Sequence, residues 1–115
     1  MAAQLDITLE QGATFRKRLT WTDKTGAAID LTGCTAHMQI RLQPHEAVAL
    51  ADLTTSNGGI TITGSAGVVD LLLTATQTAS LKFDVAQYDL VVFMTDGSVV
   101  RLVEGAVTLS RGVTR

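Results

Sequence analysis

The side chains able to do chemistry are few and widely spaced. Two histidines, one cysteine and 11 carboxylates make up the reactive inventory of 115 residues. A protein metal centre needs three or four close donors, often with a Cys or His pair at fixed spacing. His37 and His45 share no such spacing and no Cys pair accompanies them. His37 is expected to leave the polar face of a strand towards solvent, and His45 to sit in the loop after Pro44. A serine nucleophile would want a Gly-x-Ser-x-Gly elbow, which is absent. Cys34 has no basic neighbour to depress its thiol, so it reads as a buried small hydrophobe. Gly58-Gly59 and the Gly64–Gly67 turn lack the lysine and following helix of a phosphate cradle. Asp30 reads as a turn former that holds local backbone N–H groups. No enzyme, metal site or cofactor is expected.

What remains is surface chemistry. Arg16-Lys17-Arg18 is the one basic cluster, and alternation puts Arg16 and Arg18 on the same outer face. The simpler reading is a solvated strand face; the alternative is contact with an acidic protein neighbour. Binding of single-stranded nucleic acid would want interleaved aromatics, but Phe15 and Trp21 lie on the opposite face, and the net charge is −2. The segment from Tyr88 to Met94 is apolar on both faces, with Val91 and Phe93 opposite Tyr88, Leu90, Val92 and Met94. A strand of this kind is either central and covered twice, or meets another subunit. A single thin sandwich has no second cover, which favours subunit contact. Arg111 and Arg115 lie in a basic C-terminal arm over residues 111–115 that could reach a neighbour. The candidate interface residues are therefore Arg16, Arg18, Val91, Phe93, Arg111 and Arg115.

The elements that carry these residues follow from alternation, which is the mark of a half-buried strand. Leu5, Ile7 and Leu9 alternate with polar residues, and Ala13 to Trp21 forms a second run, with Lys17 discordant and expected near an edge. Cys34, Ala36, Met38 and Ile40 face one way; Thr35, His37, Gln39 and Arg41 face the other. Pro44 ends that strand, and His45 to Leu53 is open between a short helix and an edge strand. Asn57-Gly58-Gly59 turns into strands at 60–63 and 68–73, which read as a hairpin. Residues 74–81 alone have helical potential, with a hydroxyl residue able to cap one turn between the sheets. Residues 88–95, Asp96-Gly97 and residues 98–104 form a late hairpin, and Gly105 suggests a bulge or bend. Gly33 is expected to use a positive φ.

About seven to nine short strands with Gly-based turns predict an all-β antiparallel sandwich, one domain over residues 1–110. Charged residues are 17% against 46% hydrophobic ones. That charge content is below the roughly 25% of ordinary domains, as expected either of a well-packed small core or of surface that meets a partner. One cysteine excludes an internal disulfide. No basic region precedes an apolar run at the N-terminus, and no stretch approaches the ~20 apolar residues of a membrane span. The expectation is a soluble, cytoplasmically made protein that binds neither membrane nor nucleic acid.

Asp84-Val85-Ala86-Gln87-Tyr88 resembles the tyrosine corner of immunoglobulin-like sandwiches, in which the hydroxyl bonds back to upstream backbone. A wider resemblance rests on Ile7 to Phe15, Asp30-Leu31-Thr32-Gly33, the Gly67–Leu73 strand, Tyr88-Asp89-Leu90 and Asp96-Gly97. Together these resemble small tail-associated proteins of tailed bacteriophages, in particular the immunoglobulin-like N-terminal domain of baseplate upper proteins. The resemblance implies an immunoglobulin-like sandwich with one short helical turn and no catalytic residues. It also implies a virion building block that assembles with other virion proteins or as a homo-oligomer. Since no stalk or receptor-binding domain follows Arg115, a stand-alone copy would serve the tail, baseplate, neck or capsid surface. The competing class is a receptor- or carbohydrate-binding sandwich.

Overall fold

The alternating segments become nine strands in a computed structural model that describes residues 3–43 and 49–111. They are β1 (Ala3–Gln4), β2 (Ile7–Glu10), β3 (Phe15–Thr20), β4 (Thr35–Arg41) and β5 (Ala51–Thr54), followed by β6 (Ile60–Thr63), β7 (Val68–Leu73), β8 (Val85–Phe93) and β9 (Val99–Ser110). One short helix, α1 (Ala75–Ala79), links β7 to β8. The larger sheet runs β1-β9-β8-β4-β5, with β2 also on β9; the smaller runs β3-β7-β6. A three-strand sheet with β7 between β3 and β6, facing a sheet built round the late β8–β9 hairpin, is the strand plan of an immunoglobulin-like sandwich. The all-β expectation therefore holds, and the stretch left open between helix and strand ends in edge strand β5.

Alternation decides which residues are inside. On β4, Ala36, Met38 and Ile40 are buried while the residues between them are not. On β8 the buried set is Ala86, Tyr88, Leu90 and Val92. They meet Ile60, Val69, Leu71 and Leu73 from the smaller sheet in one core. Each fully buried aliphatic side chain contributes about 1.5–3 kcal/mol, so a one-residue slip of either strand would forfeit the whole set.

The crossing between sheets is held by polar groups. Thr74 caps α1 by accepting from the Gln77 N–H at 3.2 Å, and Gln77 Oε1 accepts from the Thr74 N–H at 2.8 Å. This reciprocal box holds the single turn in place. Thr78 is buried, and its hydroxyl donates to the Ala13 carbonyl at 2.8 Å and accepts from the Gly12 N–H at 3.1 Å. The turn entering β3 is thereby fastened to α1.

Two details differ from expectation. The N-terminal strands β1 and β2 run parallel to β9, so the larger sheet is mixed. Between them Leu5 and Asp6 leave the strand, and the Asp6 carboxylate accepts from the Ala106 N–H at 3.0 Å in place of a ladder carbonyl. Gly105 is not a bulge but a close approach, because a Cβ there would lie 2.8 Å from the Leu5 carbonyl carbon and closer still to its oxygen. The register shift falls instead opposite Leu90 and Val91, where Leu102 is the extra residue on β9. The Tyr88 hydroxyl does bond back to upstream backbone, donating to the Leu5 carbonyl 83 residues earlier in the chain. It ties β8 to the N-terminal crossing.

Candidate interaction face

Register lines up the outer face of the larger sheet in rows. Thr35, Phe93 and Val99 form the row nearest the Asp96-Gly97 turn, and His37, Val91 and Arg101 form the next. Gln39, Asp89 and Glu104 follow, then Arg41, Gln87 and Ala106. The row nearest the turn thus holds two large apolar side chains, the middle rows are mainly polar, and Val85, also exposed, stands beyond them at the far end. Phe93 is 41% and Val99 60% exposed, high for large apolar side chains in adjacent positions, while Val91 is half-buried.

The bulge at Leu102 sets the charge pattern. Residues three apart on a regular strand face opposite sides, but the extra residue turns Arg101 and Glu104 to the same face. Arg101 reaches Asp89 at 3.2 Å and Glu104 at 3.9 Å. These exposed pairs are worth little individually; they turn the Arg101 guanidinium towards the carboxylates of the neighbouring row. Across the sheet, His37 bonds Asp52 on edge strand β5. His37 is therefore partnered instead of simply solvent-facing.

Among the polar rows lies a hollow of about 350 Å³ lined by Gln4, Gln39, Arg41, Gln87, Asp89, Arg101 and Glu104. The Arg41 guanidinium donates to Gln39 Oε1 at 2.6 Å. Tyr88 passes beneath it, 5% exposed, with its phenol pushed up to about 12 by burial and then by the charge of Asp6. A neutral phenol that stays protonated through the physiological range serves as a fixed donor to Leu5 and not as an acid or base.

The sequence-derived candidates do not converge on one site. Val91 and Phe93 stand on the face just described, whereas Arg16 and Arg18 leave the outer face of the smaller sheet, on the opposite side of the sandwich. Arg18 is paired with Asp70 at 2.9 Å, and Arg16 forms no ion pair among the described residues. Arg111 reaches back to Asp84 at 3.4 Å, so the start of the arm is tethered to the chain. Arg115 and His45 lie outside the described residues. Cys34 is half-buried with its Sγ 3.9 Å from Met94 Sδ, less enclosed than expected. Asp30 holds the Thr32 N–H at 3.0 Å and the Thr32 hydroxyl, as its turn-forming role requires, and those bonds lower its pKa. Sequence reasoning missed Val99, Arg101 and Glu104, because a bulge and a cross-strand register carry no local signal. No group of three or more His, Cys, Asp or Glu among the described residues is placed to hold a metal ion, and no helix there is long and apolar enough to cross a membrane.

No protein-family model matches the chain, and no curated protein matches it. Among solved structures, one match is an extracellular domain of the voltage-gated sodium channel β4 subunit, solved as a parallel homodimer and described in terms of cell–cell adhesion. The identity is 13% and the TM-score 0.49, over 98% of this chain and 96% of the other. At that identity a likeness concerns the fold alone.

Proposed function

We propose that this chain is a non-enzymatic structural protein of a phage particle, in the tail, baseplate, neck or capsid surface, and that it works by protein–protein assembly. The observation that supports assembly is the outer face of the larger sheet. Phe93 and Val99 stand exposed there next to half-buried Val91, beside a mixed set of Arg101, Asp89 and Glu104. Adjacent exposed apolar side chains rimmed by polar groups are characteristic of interaction surfaces. The set pairs one cation with two carboxylates, and across a two-fold contact the Arg101 of each copy can meet the carboxylates of the other, so the partner proposed for this face is a second copy. The phage setting rests on the turn and strand motifs from Ile7 to Gly97.

Light scattering over a concentration series tests the assembly. A discrete oligomer is expected, and Phe93→Asp should give a folded monomer, because the side chain already lies on the surface. A strict monomer at every concentration would overturn self-assembly through this face. A second reading, recognition of a receptor or carbohydrate, draws on the polar hollow, whose amide, carboxylate and guanidinium groups suit sugar hydroxyls. Loss of sugar-dependent calorimetric heat on Gln87→Ala would favour it.

A further inference from the structure

We infer that the β3 edge of the smaller sheet is a strand-addition site for an extended acidic segment of another polypeptide. The smaller sheet has two edges, β3 and β6. β3 is the longer, six residues against four. Its hydrogen-bonding phase follows from the register. Trp21 donates its N–H to the Gly67 carbonyl at 2.8 Å, while Leu72 donates away from β3, to Gly59 at 2.8 Å. Since Leu72 faces Arg16 in the ladder, the bonded pairs with β7 are Phe15–Leu73, Lys17–Leu71 and Leu19–Val69. The backbone N–H and C=O groups of Arg16, Arg18 and Thr20 therefore point outward, along an edge that no described strand pairs with.

Two further observations say what would fit. First, Phe15, Leu19 and Trp21 pack towards the core from β3 and the residue after it, yet each is only partly buried. Their open flank is the one an additional strand would cover. Second, the edge is cationic on both sides. Arg16 and Arg18 stand on its outer face and Lys17 is exposed on the other, and neither Arg16 nor Lys17 has a carboxylate partner among the described residues. A hollow of about 480 Å³ that runs from them across the sheet is lined by Arg16, Lys17, Arg18, Thr61, Asp70 and Leu72, and its one carboxylate, Asp70, is already paired with Arg18, which leaves Arg16 and Lys17 to meet an acidic partner. Charges on an edge deter pairing with a like strand, so two β3 edges from separate copies would repel. An incoming strand with acidic residues opposite Arg16 and Arg18 and apolar residues over Phe15 and Leu19 meets attraction instead. Backbone bonds would supply affinity and the alternation would supply register, as in other strand-addition complexes.

The chain's single tryptophan lies at the end of this edge and reports its occupancy. The test uses a capped seven-residue peptide of alternating Val and Glu, followed by Trp21 emission and calorimetry. Saturable binding with a blue shift is expected, weakened at least about tenfold by Arg16→Glu and strongly by raised salt. Arg16→Gln keeps the test open if the reversal does not fold, as judged by circular dichroism, and should weaken binding to a smaller extent. A peptide with the same side chains but alternate backbone nitrogens methylated should not bind, and nor should the Val-Lys version. No saturable binding of the Val-Glu peptide would overturn the inference. So would equal binding of the methylated peptide, which would reduce the interaction to side-chain charge, or equal binding by Arg16→Glu. Self-association of the free protein that Arg16→Glu abolishes would also overturn it, because the occupant would then be a second copy.

Discussion

Replacing Gly105 with alanine probes how the N-terminal strands are held. The backbone at Gly105 is outside the left-handed region, so an L side chain is permitted there by φ. Judged by that alone, the change would stabilise the protein by about 0.4–1 kcal/mol through loss of unfolded-state freedom. Against it stands the Leu5 carbonyl, whose carbon lies 2.8 Å from the position of the new Cβ. The Cβ is fixed rigidly to its own backbone and the carbonyl is itself backbone, so the Leu5–Asp6 crossing must move. Three hydrogen bonds depend on its position: Tyr88 to the Leu5 carbonyl, Leu5 N–H to the Glu104 carbonyl at 2.9 Å, and Ala106 N–H to Asp6 at 3.0 Å. At about 1 kcal/mol net for each, the loss outweighs the gain, and a net destabilisation of about 2–3 kcal/mol is expected. More would follow if Ile7 and Leu9 lost burial as well. The assay is urea unfolding at constant slope, with a melting temperature lower by roughly 10 °C as the thermal counterpart. The only tyrosine gives a local readout: its phenolate absorbance, taken after a rapid pH jump, should show a titration that falls from about 12 towards the ordinary value of 10.0. Unchanged or higher stability with an unchanged Tyr88 titration would refute the close approach.

Other expectations follow from the same contacts. Thr78→Val removes a buried hydroxyl that serves Gly12 and Ala13, and should cost about 1–3 kcal/mol in denaturant unfolding; a smaller loss would mean that these groups find other partners. Gly33 has φ +80°, and a Cβ there would meet Thr95 Cγ2 at 3.0 Å, so Gly33→Val should lower stability by at least about 1–2 kcal/mol. Tyr88 has a folded-state value raised above 10.0, so its contribution is intact below pH 10 and fades as the pH rises towards 12. Tyr88→Phe should flatten alkaline stability over that interval, as read by unfolding midpoints between pH 9 and 12. Asp23, Asp30 and Asp96 have values lowered by hydrogen bonds from neighbouring hydroxyl and backbone groups, and that of Asp6 is lowered by the Ala106 N–H and the Gln4 amide. Their stabilisation is present above the ordinary value of 3.8 and lost as the pH falls through the depressed values, so Asp96→Asn should reduce the acid sensitivity of the melting temperature.

Local chemistry wrote the strands and turns of this protein into its sequence. Period-two alternation placed Met38 and Ile40 inside and Gln39 outside, and identified Val91 and Phe93 as outward-facing, because side chains on a pleated strand must leave opposite faces. Asp30 and the hydroxyl-bearing stretch 74–81 announced a turn and a cap, since their side chains satisfy backbone groups within a few residues, and Gly33 announced a positive φ. Pairing between distant segments was not legible. The parallel docking of β1 and β2 on β9 joins the two ends of the chain, and the role of Gly105 appears only once Leu5 lies above it. The extra residue at Leu102 turns Arg101 and Glu104 to one face, and the open edge of β3 exists because the N-terminal strands joined the other sheet. Each is a choice among long-range partners with similar local propensities. Only the packing of one sheet on the other, which buries one set of faces and leaves edges and outer rows uncovered, decides between them.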